Sequence, residues 1–198
     1  MFKVDNVKVI GLCGVAQSGK DTFCKHAIKL FKEQDVQCER ISFADALKAD
    51  VDPFLKAKVG ISAFTNDSEE KSLIRDFLVA YGTKLMRKID DRCWIDKVSN
   101  KVQDNITNDI ITIITDIRYP NEIEWVQKDL EGRCLHISRI QDGEHIPPAN
   151  SEESNYNPLL KSKADSSLNW ATMDDEEVLE WIVGDELNNL LNLTAVTA

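Results

Sequence analysis

Val7 to Thr22 reads VKVIGLCGVAQSGKDT, an apolar, largely β-branched run that passes through a glycine-bounded loop into a helical pattern. Val7, Val9 and Ile10 suit a buried parallel strand, and Phe23, Ala27, Leu30 and Phe31 then recur at helical spacing. Between the two, Gly14, Gly19 and Lys20 fit the phosphate-loop pattern GxxxxGK[ST], whereas Asp21 stands where a Ser or Thr hydroxyl usually meets Mg²⁺. Glycines let the backbone approach an anion closely, and the helix start adds partial positive charge. The pattern predicts that Gly14, Ala16, Gln17, Ser18, Gly19, Lys20, Asp21 and Thr22 bind the phosphates of a nucleoside triphosphate, with Lys20 reaching the transferring group. The plain alternative is a glycine-rich strand-to-helix turn without a ligand.

Asp21 has two readings. An acid in the first turn of a helix complements the helix dipole; alternatively its carboxylate holds Mg²⁺, a hard cation that prefers oxygen. Thr22 cannot stand in for the missing hydroxyl, because one step along a helix turns the side chain by roughly 100°.

Outward from this stretch, Val36–Phe43, Ile110–Thr115 and Cys134–Ile140 read as strands. The stretches 44–57, 69–89, 123–130 and 176–191 read as helices, together with 21–32. Such alternation predicts an α/β fold, a mostly parallel sheet with crossover helices and ligands at the carboxyl ends of the strands. Val59–Ser68 reads as a loop. Asp142–Ser167, with Pro147, Pro148 and Pro158, reads as a long irregular segment, either a mobile lid or a surface excursion.

The 198 residues suit a single domain, 1–198, with the lid inside it. A net charge of -10 argues against a tracker of nucleic-acid backbones, so no nucleic-acid partner is expected. Five cysteines without a CxxC pair fit free thiols in a reducing compartment. The N-terminus lacks a signal-peptide pattern and no apolar run reaches membrane-spanning length, which gives a cytoplasmic expectation without a membrane partner. The apolar content of 73–89 and of the last helix makes a homodimer plausible.

Three arginines are candidates for a second anion site. Arg118 follows the apolar strand in TDIRYPNE, beside Asp116 and Glu122. Arg75 lies off the apolar stripe of SLIRDFLVAYGTKL, and Arg139 ends CLHISR. Guanidinium groups grip phosphate with paired hydrogen bonds and neutralise charge during transfer. For Arg75, a surface pair with Asp76 or Glu70 is the competing reading. Asp116 either backs a Mg²⁺ or holds Arg118 in place. Trp94 and Trp125 are read as core.

The ordered set GVAQSGKDT, SFADALK, RDFLVAYGTKL, RCWIDKV, ITDIRYPNE and HISR resembles the bacteriophage deoxynucleoside monophosphate kinases, over Lys8 to about Arg139. GKD followed by Thr is shared with phosphomevalonate kinases. The resemblance implies a P-loop kinase three-layer sandwich that transfers the γ-phosphate of ATP to a deoxynucleoside monophosphate, with Mg²⁺. It implies Lys20, Asp21, Arg118 and Arg139 as catalytic residues, Asp21 as the metal contact, and Arg75, Gly82, Asp116, Arg118 and Glu122 as acceptor-binding residues. Arg139 would belong to a closing lid, in host cytoplasm if the chain is phage-encoded. The chain departs from the family at Asn169, which Trp170 and Ala171 follow. Two alternatives stand beside this reading: a kinase of another small phosphate ester, such as phosphomevalonate, and a nucleotide-dependent switch, although no NKxD-like base-reading sequence is present.

Overall fold

The computed structural model describes residues 7–171 and 175–192. In chain order the elements begin with β1 (Val9–Cys13), α1 (Lys20–Glu33), β2 (Cys38–Ile41), α2 (Phe43–Val59) and α3 (Ser68–Val79). A π-helical stretch, Ala80–Met86, leads to a last turn, α4 (Arg87–Ile89), and then to α5 (Cys93–Thr107) and β3 (Ile111–Ile117). After the short α6 (Pro120–Glu124) and a π-helical turn at Trp125–Asp129 come β4 (Arg133–Gln141) and β5 (Glu144–His145). The described elements end with α7 (Ser151–Lys163), β6 (Ser166–Ala171) and α8 (Glu176–Asn192). They fall into two compact units, one formed by the chain up to Ile41 and from Val102 onward, the other by Ser42–Lys101.

The first unit is the α/β sheet expected from the alternation. Its strands pair in parallel in the order β2, β3, β1, β4, β6, with β5 returning antiparallel along the end of β4. All five residues of β1 are buried, which is why it reads as a continuous apolar run instead of alternating. One face of the sheet, through Ile10, Leu12, Ile111, Ile113, Leu135 and Ile137, packs against Phe23, Ala27 and Phe31 of α1 and Val183, Leu187 and Leu190 of α8. Each such side chain removed from water contributes about 1.5–3 kcal/mol. Thr112 points to the opposite face, where its hydroxyl accepts a hydrogen bond from the Asn105 amide at the end of α5. Helices therefore cover both faces, giving three layers.

Several stretches differ from the sequence reading, among them the strand β6, which that reading does not contain. The helix expected over 69–89 changes to π-helical geometry at Ala80. There Gly82 is buried so close to Leu47 that a Cβ would lie 2.0 Å from the leucine Cδ1. A helix at 93–107 was not anticipated, although Ile95, Val98 and Val102 recur at helical spacing and are all buried. The segment 142–167 is not irregular. It begins with a hairpin turn in which Asp142 and Gly143 both take positive φ, 53° and 84°, the primed geometry that an Asp-Gly pair favours. It continues into α7, whose N-cap Asn150 accepts a hydrogen bond from the Glu153 amide.

The second unit is helical. Val51, Leu55, Ala63 and Ile74 form its buried cluster, with Ile61, Leu78 and Tyr81 packed against it. Gly60 ends α2 with φ 71°, and Asp67 caps α3 by accepting from the amides of Glu69 and Glu70. The expected loop at 59–68 lies between these caps.

Candidate active site

β1 delivers its C-terminus into the loop at the middle of the sheet, with β3 on one side and β4 on the other. Such a point, where neighbouring strands are reached by opposite crossovers, is where parallel sheets bind ligands. Gly14 takes φ 137° and Gly19 φ 96°. Both also sit where a side chain has no room. A Cβ on Gly14 would lie 2.2 Å from the Ile137 carbonyl oxygen, and one on Gly19 2.4 Å from the Trp170 ring. Gln17, exposed at the loop tip, adopts φ 62°. Ser18 is fully buried, while Asp21 and Thr22 are exposed in the first turn of α1.

The Lys20 ammonium folds back along the loop. It donates to the carbonyl oxygens of Gly14 (2.8 Å) and Val15 (2.6 Å) and to Ser18 Oγ (3.3 Å). Burial lowers its pKa to about 8, Arg118's charge acts in the same direction, and Glu153 and Asp21 oppose them. Cys13, which ends β1, donates its thiol hydrogen to the Leu135 carbonyl and is pushed up to about 12 by burial. It is a packed, unreactive neighbour.

On the β3 side, Glu122 is fully buried and reaches back along the turn, where one oxygen accepts from the amides of Arg118 (2.7 Å) and Tyr119 (3.0 Å). The motif DIRYPNE is thus a strand end, a turn and a helix start tied by an acid at the third helical position. The tie presents Arg118, whose side chain is half exposed, while Asp116 sits half-buried on the last part of β3. The Arg118 guanidinium meets Glu153 Oε1 at 3.0 Å.

Glu153 was not singled out from the sequence, and Trp170 was noted only as a departure from the family pattern. Glu153, on α7, is nearly buried, and its Oε2 accepts from the Ala16 amide of the loop (3.2 Å) and from the Ala149 amide (3.0 Å). A polar residue followed three places later by Glu, as in Asn150–Glu153, was the available sign of a helix start. Trp170, on β6, is buried against Phe23, and its indole donates to the Ser18 carbonyl at 2.9 Å. The departure at Trp170 is therefore a prop beneath the phosphate loop. α7 is further held to β4 by His136, which shares a 2.9 Å hydrogen bond with Asn157; burial lowers the imidazole's pKa, which favours the neutral ring.

The remaining expected residues lie on other elements. Arg139 is half-buried within β4, in register with Trp170, at the base of the β4–β5 hairpin. A cleft of about 370 Å³ lies between this hairpin and Gln17. Arg75 and Gly82 belong to the second unit. Arg75 is exposed and makes no ion pair among the described residues, so neither Asp76 nor Glu70 holds it. The Gly82 carbonyl accepts from the Trp94 indole at 3.2 Å. Trp94 and Trp125 are both buried, in keeping with a core role. All five cysteines are free thiols, and no described helix is long and apolar enough to cross a membrane.

A family model described as phosphomevalonate kinase matches residues 12–132, from the end of β1 to the residue before β4. No curated protein matches the sequence. Among solved structures, a shikimate kinase from Bacteroides thetaiotaomicron is similar at 15% identity, covering 93% of this chain and 98% of its own, with a TM-score of 0.46. TT1252 from Thermus thermophilus is similar at 15% identity, covering 94% and 99%, with a TM-score of 0.48. The APS kinase CysC of Mycobacterium tuberculosis (Cys556Ala mutant) is similar at 12% identity, covering 95% and 99%, with a TM-score of 0.41.

Proposed function

The chain belongs to the phosphomevalonate kinase family, and we propose that it transfers the γ-phosphate of ATP to a small phosphate monoester, with phosphomevalonate as the leading acceptor. One observation carries the reading. Lys20 of the loop and Arg118 at the end of β3 stand close enough for their charges to oppose one another, with the Glu153 carboxylate between the arginine and the loop. Two cations at adjoining strand ends suit a phosphoryl group passing between two phosphates, where catalysis is alignment and charge neutralisation. An acceptor that is already an ionised phosphate needs no strong base.

The residues divide by position. The loop amides and Lys20 orient the donor phosphates, and Arg118, braced by Glu122, takes the acceptor side. Arg139, on the strand beside the loop, adds charge from the hairpin. The Asp21 carboxylate is exposed, lies one residue from Lys20 and makes no ion pair among the described residues, which fits a contact to Mg²⁺. Bound there, Mg²⁺ would neutralise phosphate charge.

A deoxynucleoside monophosphate as acceptor is the second reading, favoured by the motif resemblance and by one feature of the second unit. Phe54 and Phe77 stack at 5.8 Å with 19° between planes, and Phe77 and Tyr81 at 6.3 Å with 16°. Phe54 and Phe77 remain 53% and 37% exposed. Exposed, parallel rings suit a nucleobase and offer little to an aliphatic acid.

ADP formation from ATP with phosphomevalonate, the four deoxynucleoside monophosphates and their ribonucleotide counterparts separates the two. Turnover with phosphomevalonate alone supports the leading reading, and turnover with a deoxynucleotide transfers it to the second. ATP binding with no transfer to any acceptor would sink the kinase reading and favour a switch.

A further inference from the structure

Resting on the phosphotransferase reading, we propose that Glu153 is a positioning residue that fixes Arg118 against the phosphate loop. Three segments meet at this one side chain. Its Oε1 receives the Arg118 guanidinium from the end of β3; its Oε2 receives the Ala16 amide from the loop and the Ala149 amide from the approach to α7. Its own amide is fixed by the N-cap Asn150. A carboxylate nine-tenths buried needs such compensation, and here the compensation comes from donors on both sides of the candidate site.

The arrangement does two things. Arg118 and Lys20 carry like charges, and the carboxylate, paired with Arg118 and hydrogen-bonded to the loop, offsets part of their repulsion. The second effect is geometric. An arginine that is half exposed at one edge and tied at the other keeps several guanidinium hydrogens for a ligand while losing its freedom to swing into solvent. Glu153 thereby acts through Arg118 and touches no reacting atom.

The test is a double-mutant cycle. Wild type, E153Q, R118A and the double variant are compared in phosphoryl transfer to the working acceptor and in direct calorimetric binding of inorganic triphosphate. E153Q retains shape and one acceptor oxygen but loses charge. It is expected to lower kcat/KM for the acceptor by up to about a hundred-fold, as misplacement of a group aligned on the substrate does. In the R118A background it should cause no further loss, and triphosphate binding should stay within about three-fold throughout. E153D is expected to recover part of the rate. Additive losses from the two substitutions would overturn the proposal. So would an E153Q protein that binds triphosphate more than about three-fold tighter, since the carboxylate would then be a competitor for the loop. Failure of the wild type to bind triphosphate would count instead against the phosphotransferase reading. If triphosphate binds but no acceptor is used, the same cycle is read on the Kd of inorganic phosphate for the triphosphate-loaded protein, where the same non-additivity is expected and additivity overturns the proposal.

Discussion

The indole Nε1 of Trp170 donates to the carbonyl oxygen of Ser18 across 2.9 Å, joining residues 152 positions apart. The same ring lies where a Cβ on Gly19 would have to go. The shape of the loop therefore depends on a strand near the other end of the chain. Trp170→Ala should lower stability by about 3–5 kcal/mol, the usual cost of emptying a buried aromatic site. Trp170→Phe should cost less, with the lost hydrogen bond accounting for about 1 kcal/mol. Thermal unfolding measures both. Weaker ATP binding in the Phe variant at temperatures where it is folded would tie the ring to the loop; unchanged binding would reduce Trp170 to packing.

Lys20 predicts a signature in pH. Its folded pKa of about 8 is below its ordinary 10.5, so between these values the unfolded chain binds the proton that the native protein has released. Stability must then rise with pH across that window through this group. The buried thiols work the other way above about pH 9, because Cys13 and Cys24 are raised from 9.0 to about 12 and keep their protons when folded. The window from 8 to 9 is the clearer one. Denaturant unfolding of wild type and Lys20→Met at intervals of pH should show the stability of the wild type rising relative to that of the variant across this window, the thiols being common to both. Parallel curves would show that the Lys20 pKa is not depressed.

Arg118→Ala should sharply weaken use of the acceptor while leaving triphosphate binding nearly intact; equal loss of both would place the guanidinium on the donor side. Glu122→Ala should act differently, because it strips the part-buried amides of Arg118 and Tyr119 of their shared, fully buried acceptor. A loss of about 1–3 kcal/mol in stability is expected, visible in unfolding before any assay is run.

For Asp21→Asn, turnover should fall and recover in part as Mg²⁺ is raised. Steady-state kinetics over a Mg²⁺ series decides it. Kinetics identical to wild type would leave Asp21 as a partner of the α1 dipole alone.

Much of the sheet was legible because β1 and β3 are largely buried on both faces and so carry continuous or near-continuous apolar runs, and because the loop chemistry between Gly14 and Lys20 has few alternatives. The turn that carries Arg118 and Glu122 was legible as the end of an apolar strand, but the fully buried tie that Glu122 makes to the amides of Arg118 and Tyr119 was not. α7 was not, since only Leu160 of its apolar residues is buried. It is held by polar contacts through Glu153 and Asn157, which leave no periodic stripe, and Pro158 reads as a breaker. Trp170 lies on a strand whose residues are mostly exposed or half-buried, and its partner is a backbone carbonyl that no local pattern announces. The acceptor was the hardest point, because GKD with Thr is common to two kinase branches: the motif set favoured deoxynucleotides, whereas the family match favours phosphomevalonate.

The fold-back of Lys20 bears on the heat signature of ligand capture. Its long side chain is already confined by two carbonyl oxygens and a hydroxyl, so most of the rotamer freedom, about 2 kcal/mol for a free lysine, is lost during folding. A phosphate bound at the proposed site would meet a cation that changes partners without first being ordered. Titration calorimetry of Lys20→Met should test this from the other side: with no ammonium held in advance, the variant is expected to lose binding enthalpy with little change in the entropy of ordering.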